Sequence, residues 1–145
     1  MSTINENMRL LLSLNDAWNA HDWKAYEKFY AIDVDVFWPG QEKPTHGRES
    51  HIKEVIEITS TFPDNQVVHE PNQMFFGEGE FTCIVTDLTG SFLGPMIQFD
   101  GKKSSPTGKK FKVELCRLNQ WRNHEIVEEK RFYDKILLMQ QIGLM

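Results

Sequence analysis

The chain has 145 residues, the usual length of one domain, and residues 1–145 are predicted to form a single domain. A chain of this length buries about two-thirds of its unfolded surface, so it needs no disulfide or metal ion to fold. Its formal net charge of −5 argues against a nucleic-acid partner, which a protein normally binds with a basic patch. The sequence has no run of about 18 apolar residues, so no membrane-spanning helix and no membrane partner are predicted.

The first half of the sequence predicts three helices and one strand. Residues 4–20 repeat apolar side chains at spacings of three and four, the period of one helix face. Asp22 is placed to cap a second helix over residues 23–31. Alternation over 33–38 predicts a strand, and the apolar spacing over 48–60 predicts a third helix.

The second half predicts mainly strands. Residues 66–76, interrupted by a proline, and residues 81–90 precede a hairpin over 109–134, and a short helix closes the chain. The Gly- and Ser-rich segment 91–108 is predicted to act as a lid. Helices followed by a long run of strands indicate an α+β domain, with helices packed on one face of a curved, mostly antiparallel sheet. The concave side of such a sheet must be filled by side chains or by a ligand.

The cysteine and histidine residues give no metal-binding pattern. Cys83 and Cys116 each fall within an apolar strand pattern, which indicates free thiols in a reducing compartment and therefore a cytoplasmic protein. The five histidines are scattered without metal-ligand spacing, so no metal ion is predicted. The N-terminal residues lack the basic region and cleavage motif of a signal peptide.

Asp87 shares a strand face with Phe81, Cys83 and Val85. A carboxylate on such an apolar face is desolvated, which raises its pKa and suits it to proton transfer. The alternative is that Asp87, near the end of its strand, binds a backbone group or reaches water. The sequence leaves both interpretations open.

The hairpin over 109–134 carries charged residues on one side of each strand. The residues of these two sides are Glu114, Cys116 and Leu118 on the first strand and Ile126, Glu128, Lys130, Phe132 and Asp134 on the second. If both sides face the interior, two carboxylates and an ammonium group meet among apolar side chains and must pair or lose their charge. The alternative is a solvated outer face, where cross-strand Glu–Lys pairs are common.

Several segments together resemble a known family. "LNDAWNAHDWKAYEKFYAIDVDVFWPG" resembles the opening of nuclear transport factor 2-like domains. "HGRES", "STFPDNQ", "TDLTGSFLG", "PTGKKF" and "IVEEKRFYDKILLMQQIGL" resemble the SnoaL-like polyketide cyclase branch of that superfamily. The resemblance covers nearly the whole chain. It implies an α+β cone with a deep apolar pocket, a frequent homodimer, and acid–base catalysis without a cofactor.

The resemblance also implies site residues. The polar pair of the cyclases, a His and an Asp on the last two strands, falls at Glu114 and Glu128, and Lys130 takes the place of a Trp. Asp87 falls near a common pocket position. On this basis Glu128, Asp87, Glu114 and Lys130 are the expected catalytic residues. The expected substrate-binding residues are Trp18, Trp38, Tyr26, Cys116, Phe132 and Asp134.

These expectations favour an enzyme that binds a small, apolar, carbonyl-bearing molecule. A carboxylate, Glu128 or Asp87, would remove an acidic proton, and an aldol-type ring closure or an isomerisation would follow. The first alternative is a binding module of the same fold, which would hold a ligand or a partner protein without catalysis. A third possibility is an epoxide or ester hydrolase in which Asp87 activates a water molecule.

Overall fold

The computed structural model describes residues 4–97 and 101–145 and confirms the predicted α+β class. The helices are α1 (Ile4–Asn19), α2 (Trp23–Glu27), α3 (Arg48–Thr61) and α4 (Lys135–Gln141). The strands are β1 (Tyr30–Phe37), β2 (Thr45–His46), β3 (Gln66–Val68), β4 (Phe75–Glu78), β5 (Phe81–Ser91), β6 (Met96–Ile97), β7 (Lys103–Ser104), β8 (Lys110–Arg122) and β9 (Glu125–Phe132). Within the described ranges, none of the helices has the length and apolar character needed to cross a membrane.

The second helix begins as predicted but ends early. The side chain of Asp22 accepts a hydrogen bond from the backbone N–H of Ala25 at 3.2 Å, as an N-cap residue does. The helix ends at Glu27, and Tyr30 already belongs to β1, where it pairs with Ile126 of β9. Strand pairing across the chain therefore overrides the local helical pattern of residues 28–31.

Most strands form one curved sheet in the order β2-β1-β9-β8-β5-β3, with β4 also paired to β5. The β1–β9 pair is parallel, and the other pairs are antiparallel. Strands β6 and β7 form a separate ribbon within the predicted lid segment 91–108. Residues 98–100 of that segment lie outside the described residues, and the lid remains a prediction.

Strand β8 shows which face of the sheet meets the helices. Its buried side chains alternate along the strand and are Phe111, Val113, Leu115, Arg117, Asn119 and Trp121. The guanidinium of Arg117 donates a hydrogen bond to Asn15 of α1 at 2.6 Å, so this side is the inner face. Glu114 and Leu118, on the other side, are exposed.

Strand β9 changes its facing at a β-bulge. Trp121 lies opposite Ile126, whereas the preceding residue, Gln120, lies opposite Glu128, so Val127 is one extra residue in β9. Ile126 and Glu129 therefore both point inward although they are three positions apart. Without the bulge, Ile126 would share its face with residues 128 and 130.

The expectation that Glu114, Glu128 and Lys130 line the interior is wrong. They lie on the outer face, where Lys130 Nζ and a Glu128 carboxylate oxygen form a half-exposed ion pair at 3.6 Å. The solvated outer face was the correct alternative, because the larger apolar residues of β8 occupy the opposite side and the bulge turns residues 128 and 130 outward. Cys116 and Phe132 lie on the same outer face, since they are paired directly across β8 and β9.

Candidate functional site

A buried ion pair occupies the inner face of β9. Arg131 Nε donates to Glu129 Oε2 at 2.7 Å, and both side chains are almost completely buried. Tyr30 Oη donates to Glu129 Oε1 at 3.0 Å, and Arg131 also donates to Tyr26 Oη at 2.9 Å. Each buried charge thus has an opposite charge and further hydrogen bonds, the condition under which such a pair is tolerated.

The hydrogen bonds continue from this pair to the edge of the interior. The hydroxyl oxygens of Tyr26 and Tyr30 are 2.8 Å apart, and Tyr26 Oη lies 2.9 Å from His51 Nε2. On its other side, His51 Nδ1 lies 3.3 Å from Glu54 Oε1, and the Glu54 side chain is 23% exposed. We call Tyr26, Tyr30, His51, Glu54, Glu129 and Arg131 the buried network.

Aromatic rings enclose the network. The Arg131 guanidinium lies 4.4 Å from the ring centroid of Trp38 and 5.4 Å from that of Trp18, close enough for cation–π attraction. The rings of Tyr26 and Tyr30 stack with their centroids 5.0 Å apart. Trp38 Nε1 donates to Glu54 Oε1 at 3.0 Å, so one of these enclosing rings is hydrogen-bonded to the partly exposed carboxylate of the network.

The surroundings set the charge state of each network member. Burial lowers the pKa of His51, and the hydrogen bond to Glu54 offsets this only in part, so the imidazole is neutral at pH 7. Burial would raise the pKa of Glu129, but the charges of Arg131, His51 and Arg117 and the hydrogen bond from Arg131 together outweigh it, and the pKa is lowered. Burial also opposes ionisation of Glu54, yet hydrogen bonds from His51, Thr45 and Trp38 lower its pKa.

The two phenols stay protonated. Burial raises the pKa of Tyr26 to about 12 and that of Tyr30 well above its usual value of 10.0. At neutral pH the network therefore holds two carboxylates, one guanidinium, a neutral imidazole and two phenols. A neutral imidazole bonded to a carboxylate can accept a proton, so the arrangement suits acid–base chemistry.

A second set of polar groups lies beside α1 on the inner face. Arg117 Nε and both side-chain polar atoms of Asn7 and Asn119 are buried, and none has a hydrogen-bond partner among residues 4–97 and 101–145. A buried polar group without a partner costs about 1–3 kcal/mol. Arg117 is anchored through another of its nitrogens, which donates to Asn15 of α1.

Three of the predicted substrate-binding residues come together. Trp18, Trp38 and Tyr26 surround the Arg131 guanidinium. Tyr26, Tyr30, His51 and Glu129 have no solvent exposure, so the inner part of the network is closed to solvent. Two surface depressions, of about 530 and 490 Å³, are lined by residues outside the network.

The other predicted residues lie elsewhere. Asp87 accepts a hydrogen bond from Gln73 Nε2 at 3.1 Å and forms an ion pair with Lys112 Nζ at 3.5 Å. It lies on the sheet face that also carries Cys83. Asp134 caps α4 by accepting a hydrogen bond from Leu137 N at 2.9 Å. Both carboxylates thus have local structural partners, and neither contacts the buried network.

The sequence contains a signal for one of the missed residues. His51 precedes Val55 by one helical turn on the buried side of α3, so it belongs to the apolar face rather than to the exposed one. In the part of the chain that is described, no three His, Cys, Asp or Glu side chains are arranged to hold a metal ion. Alternation counted from Ile126 places Glu129 and Arg131 on the wrong face, because the bulge at Val127 changes their facing.

Comparisons with known proteins agree with this architecture. A search of curated proteins finds no match. A candidate SnoaL-like polyketide cyclase from Jannaschia sp. CCS1 matches over 100% of this chain and 96% of its own, with a TM-score of 0.85 and 21% identity. IdmH, a candidate polyketide cyclase from Streptomyces antibioticus, matches over 94% of this chain and 98% of its own (TM-score 0.76, 22% identity).

A third structure, from Catenulispora acidiphila DSM 44928, has a ketosteroid isomerase-like fold. It matches over 94% of this chain and 93% of its own, with a TM-score of 0.75 and 17% identity. At these identities the three structures show a shared fold. The model of the SnoaL-like polyketide cyclase family matches residues 8–142, nearly the whole chain. The chain therefore belongs to the SnoaL-like polyketide cyclase family.

Proposed function

We propose that the chain is an acid–base enzyme that needs no cofactor and acts on a small, largely apolar, carbonyl-bearing molecule. The reaction is removal of a proton next to the carbonyl, followed by aldol-type ring closure or isomerisation. One observation carries this proposal: the neutral imidazole of His51 is hydrogen-bonded to the carboxylate of Glu54, whose side chain is partly exposed to solvent. Membership of a family of polyketide cyclases supports the same class of reaction.

Glu54 is the group placed to meet the substrate. It is the partly exposed carboxylate of the network, and Trp38 Nε1 and Thr45 Oγ1 both donate hydrogen bonds to it. In the proposed step the Glu54 carboxylate receives the substrate proton and His51 stabilises it there. The charge of Arg131, behind the Trp38 ring, favours negative charge developing on the carbonyl oxygen.

The test is deuterium exchange at the acidic carbon of benzoylacetone, an aryl 1,3-diketone, followed by proton NMR in D₂O. The wild-type chain should exchange this proton faster than buffer, and Glu54→Gln should slow the exchange by about 10²-fold or more, the scale of general-base catalysis. Glu57→Gln is the matched control, because Glu57 is exposed on the same helix. Equal rates for the wild type and Glu54→Gln would contradict the assignment.

The closed interior supports a second candidate, a binding module without catalysis. The innermost polar groups have no solvent exposure, and a ligand that fills the interior could satisfy Asn7, Arg117 and Asn119. In that case the same NMR experiment would show line broadening of benzoylacetone with no exchange above buffer.

We also propose that the chain forms a homodimer through the outer face of the sheet. Phe76, Phe81, Leu118 and Phe132 are exposed there, and the strand pairings place them on one side. Exposed aromatic side chains on one face of a sheet are typical of an interface. The two cysteines of this face, 3.8 Å apart as free thiols, support a reducing, cytoplasmic location.

Light scattering after gel filtration should give twice the chain mass of 17.0 kDa. Phe132→Glu should weaken the dimer by about 30-fold, because loss of a buried aromatic anchor commonly costs about 2 kcal/mol or more. Ile136→Glu is the control, since Ile136 is equally exposed but lies on α4. A dimer that survives Phe132→Glu unchanged would place the interface elsewhere.

A further inference from the structure

Four consecutive hydrogen-bond links join Glu54 to Glu129. They run from Glu54 Oε1 to His51 Nδ1 (3.3 Å), from His51 Nε2 to Tyr26 Oη (2.9 Å), from Tyr26 Oη to Tyr30 Oη (2.8 Å), and from Tyr30 Oη to Glu129 Oε1 (3.0 Å). One end of this row is partly exposed, and the other lies in the interior beside Arg131. Each link needs one hydrogen atom between its two heavy atoms.

The row has fewer hydrogen atoms than links. With both carboxylates ionised, a neutral imidazole supplies one hydrogen and each phenol supplies one, which makes three for four links. Arg131 cannot fill the gap, because its hydrogen bonds to Glu129 and to the hydroxyl oxygens of Tyr26 and Tyr30 are additional to the four links of the row. In this state one link is always without its hydrogen atom.

The position of the unfilled link depends on how the two hydroxyls point. If Tyr30 donates to Glu129 and Tyr26 donates to Tyr30, then His51 Nε2 must carry the hydrogen and the Glu54 link is empty. If Tyr26 donates to His51 and Tyr30 donates to Tyr26, the empty link lies at Glu129. Rotation of the two hydroxyl groups, together with a change of the imidazole hydrogen from Nε2 to Nδ1, therefore moves the gap from one carboxylate to the other.

We propose that the row from Glu54 to Glu129 is a proton relay that takes up one proton as a unit and shares it between its two carboxylate ends. This inference rests on the proposed function, in which Glu54 receives the substrate proton. With the fourth proton every link is filled: the proton resides on Glu54 or His51 at one end, or on Glu129 at the other. The phenols of Tyr26 and Tyr30 pass it on without ionising.

The charges around His51 determine when the fourth proton binds. The groups that face the imidazole are Tyr26 of α2, Tyr30 of β1, Glu54 of α3, and Glu129 with Arg131 of β9. Arg117 of β8 adds a second positive charge that acts on Glu129. The two carboxylates balance the two guanidinium groups, so an added proton leaves one uncompensated positive charge in the interior. Because the pKa of His51 and those of both carboxylates are lowered, the common midpoint is expected below the usual glutamate pKa of 4.5, and so also below the usual histidine pKa of 6.5.

The experiment is an NMR titration of the wild-type chain with ¹⁵N-labelled histidine and ¹³C-labelled glutamate carboxyl groups. The His51 ring and the Glu54 and Glu129 carboxyl signals should move at one common midpoint. In Tyr26→Phe the charges are unchanged but the row is cut, so the Glu129 signal should no longer move with that of His51. Tyr30→Phe, which cuts the next link, should give the same result.

Tyr133→Phe is the matched control, because Tyr133 is a largely buried tyrosine outside the row and its replacement should leave the common midpoint intact. A Glu129 signal that still follows His51 in both Tyr26→Phe and Tyr30→Phe would overturn the relay, since the coupling would then act through space. The absence of any common midpoint in the wild type would overturn it as well. The titration needs no substrate, so a failed exchange assay with an intact common midpoint would remove the proposed function alone.

Discussion

Arg131→Met should lower the free energy of unfolding by about 3–5 kcal/mol, because it leaves the Glu129 carboxylate buried without its opposite charge. Arg131 also donates to Tyr26 and lies between two indole rings, and these contacts are lost with the guanidinium. Urea unfolding, followed by tryptophan fluorescence and circular dichroism, gives the difference.

Lys130→Met is the matched control for this prediction. Lys130 is the neighbouring residue and also has a carboxylate partner, Glu128, but that pair is half exposed on the outer face. Its loss should cost about 0–1 kcal/mol. Equal losses from the two variants, or a larger loss from Lys130→Met, would mean that the facing of β9 is reversed.

A double variant tests whether the stability lost in Arg131→Met comes from the unpaired buried charge or from lost packing. Removing both charges with Glu129→Leu and Arg131→Met should recover part of the stability lost in Arg131→Met, because the buried charge disappears with its partner. If the double variant were less stable than the single one by a further several kcal/mol, packing rather than charge would account for the loss.

His51→Gln should slow deuterium exchange of benzoylacetone by about 10²–10⁴-fold, the range of general acid–base catalysis. The imidazole is the group that can take the proton from Glu54, and glutamine keeps hydrogen-bonding atoms at the position but cannot be protonated near neutral pH. The exchange rate is measured as for Glu54→Gln, alongside a circular dichroism spectrum that reports the fold.

His46→Gln serves as the control for the histidine prediction. His46 is 70% exposed and forms its own pair with Asp35 at 2.7 Å, so it matches His51 in chemistry but not in location. Its exchange rate should equal that of the wild type. A folded His51→Gln protein with an unchanged rate would exclude the imidazole from the proton path.

Much of the fold follows from local patterns. The apolar spacing of α1 places Leu11, Leu14 and Trp18 on one face, and this face is buried in the structure. The cap at Asp22 and the strands before and after the β8–β9 turn also follow from residue type and alternation. Each of these signals acts between residues that are close in sequence, which is why the sequence alone reveals them.

The candidate site does not follow from local patterns, for two physical reasons. Alternation in β9 predicts that residue 128 shares a face with Ile126, but the bulge at Val127 brings Glu129 and Arg131 inward instead. Tyr30 lies in a helical pattern, yet pairing with β9 draws it into β1 and aims its hydroxyl at Glu129. Both effects depend on the neighbouring strand, which no single segment of sequence specifies.

The central claim is that Glu129, and not Glu128, is the carboxylate that faces the interior and stays ionised beside Arg131. A ¹³C NMR titration of the Glu129 carboxyl group tests this most directly. The structure predicts a midpoint below the ordinary glutamate pKa of 4.5, because the surrounding positive charges, of which Arg131 contributes most, together outweigh burial. A midpoint at or above 4.5 would contradict the account, since it would mean that the carboxyl group either reaches water or lacks its guanidinium partner.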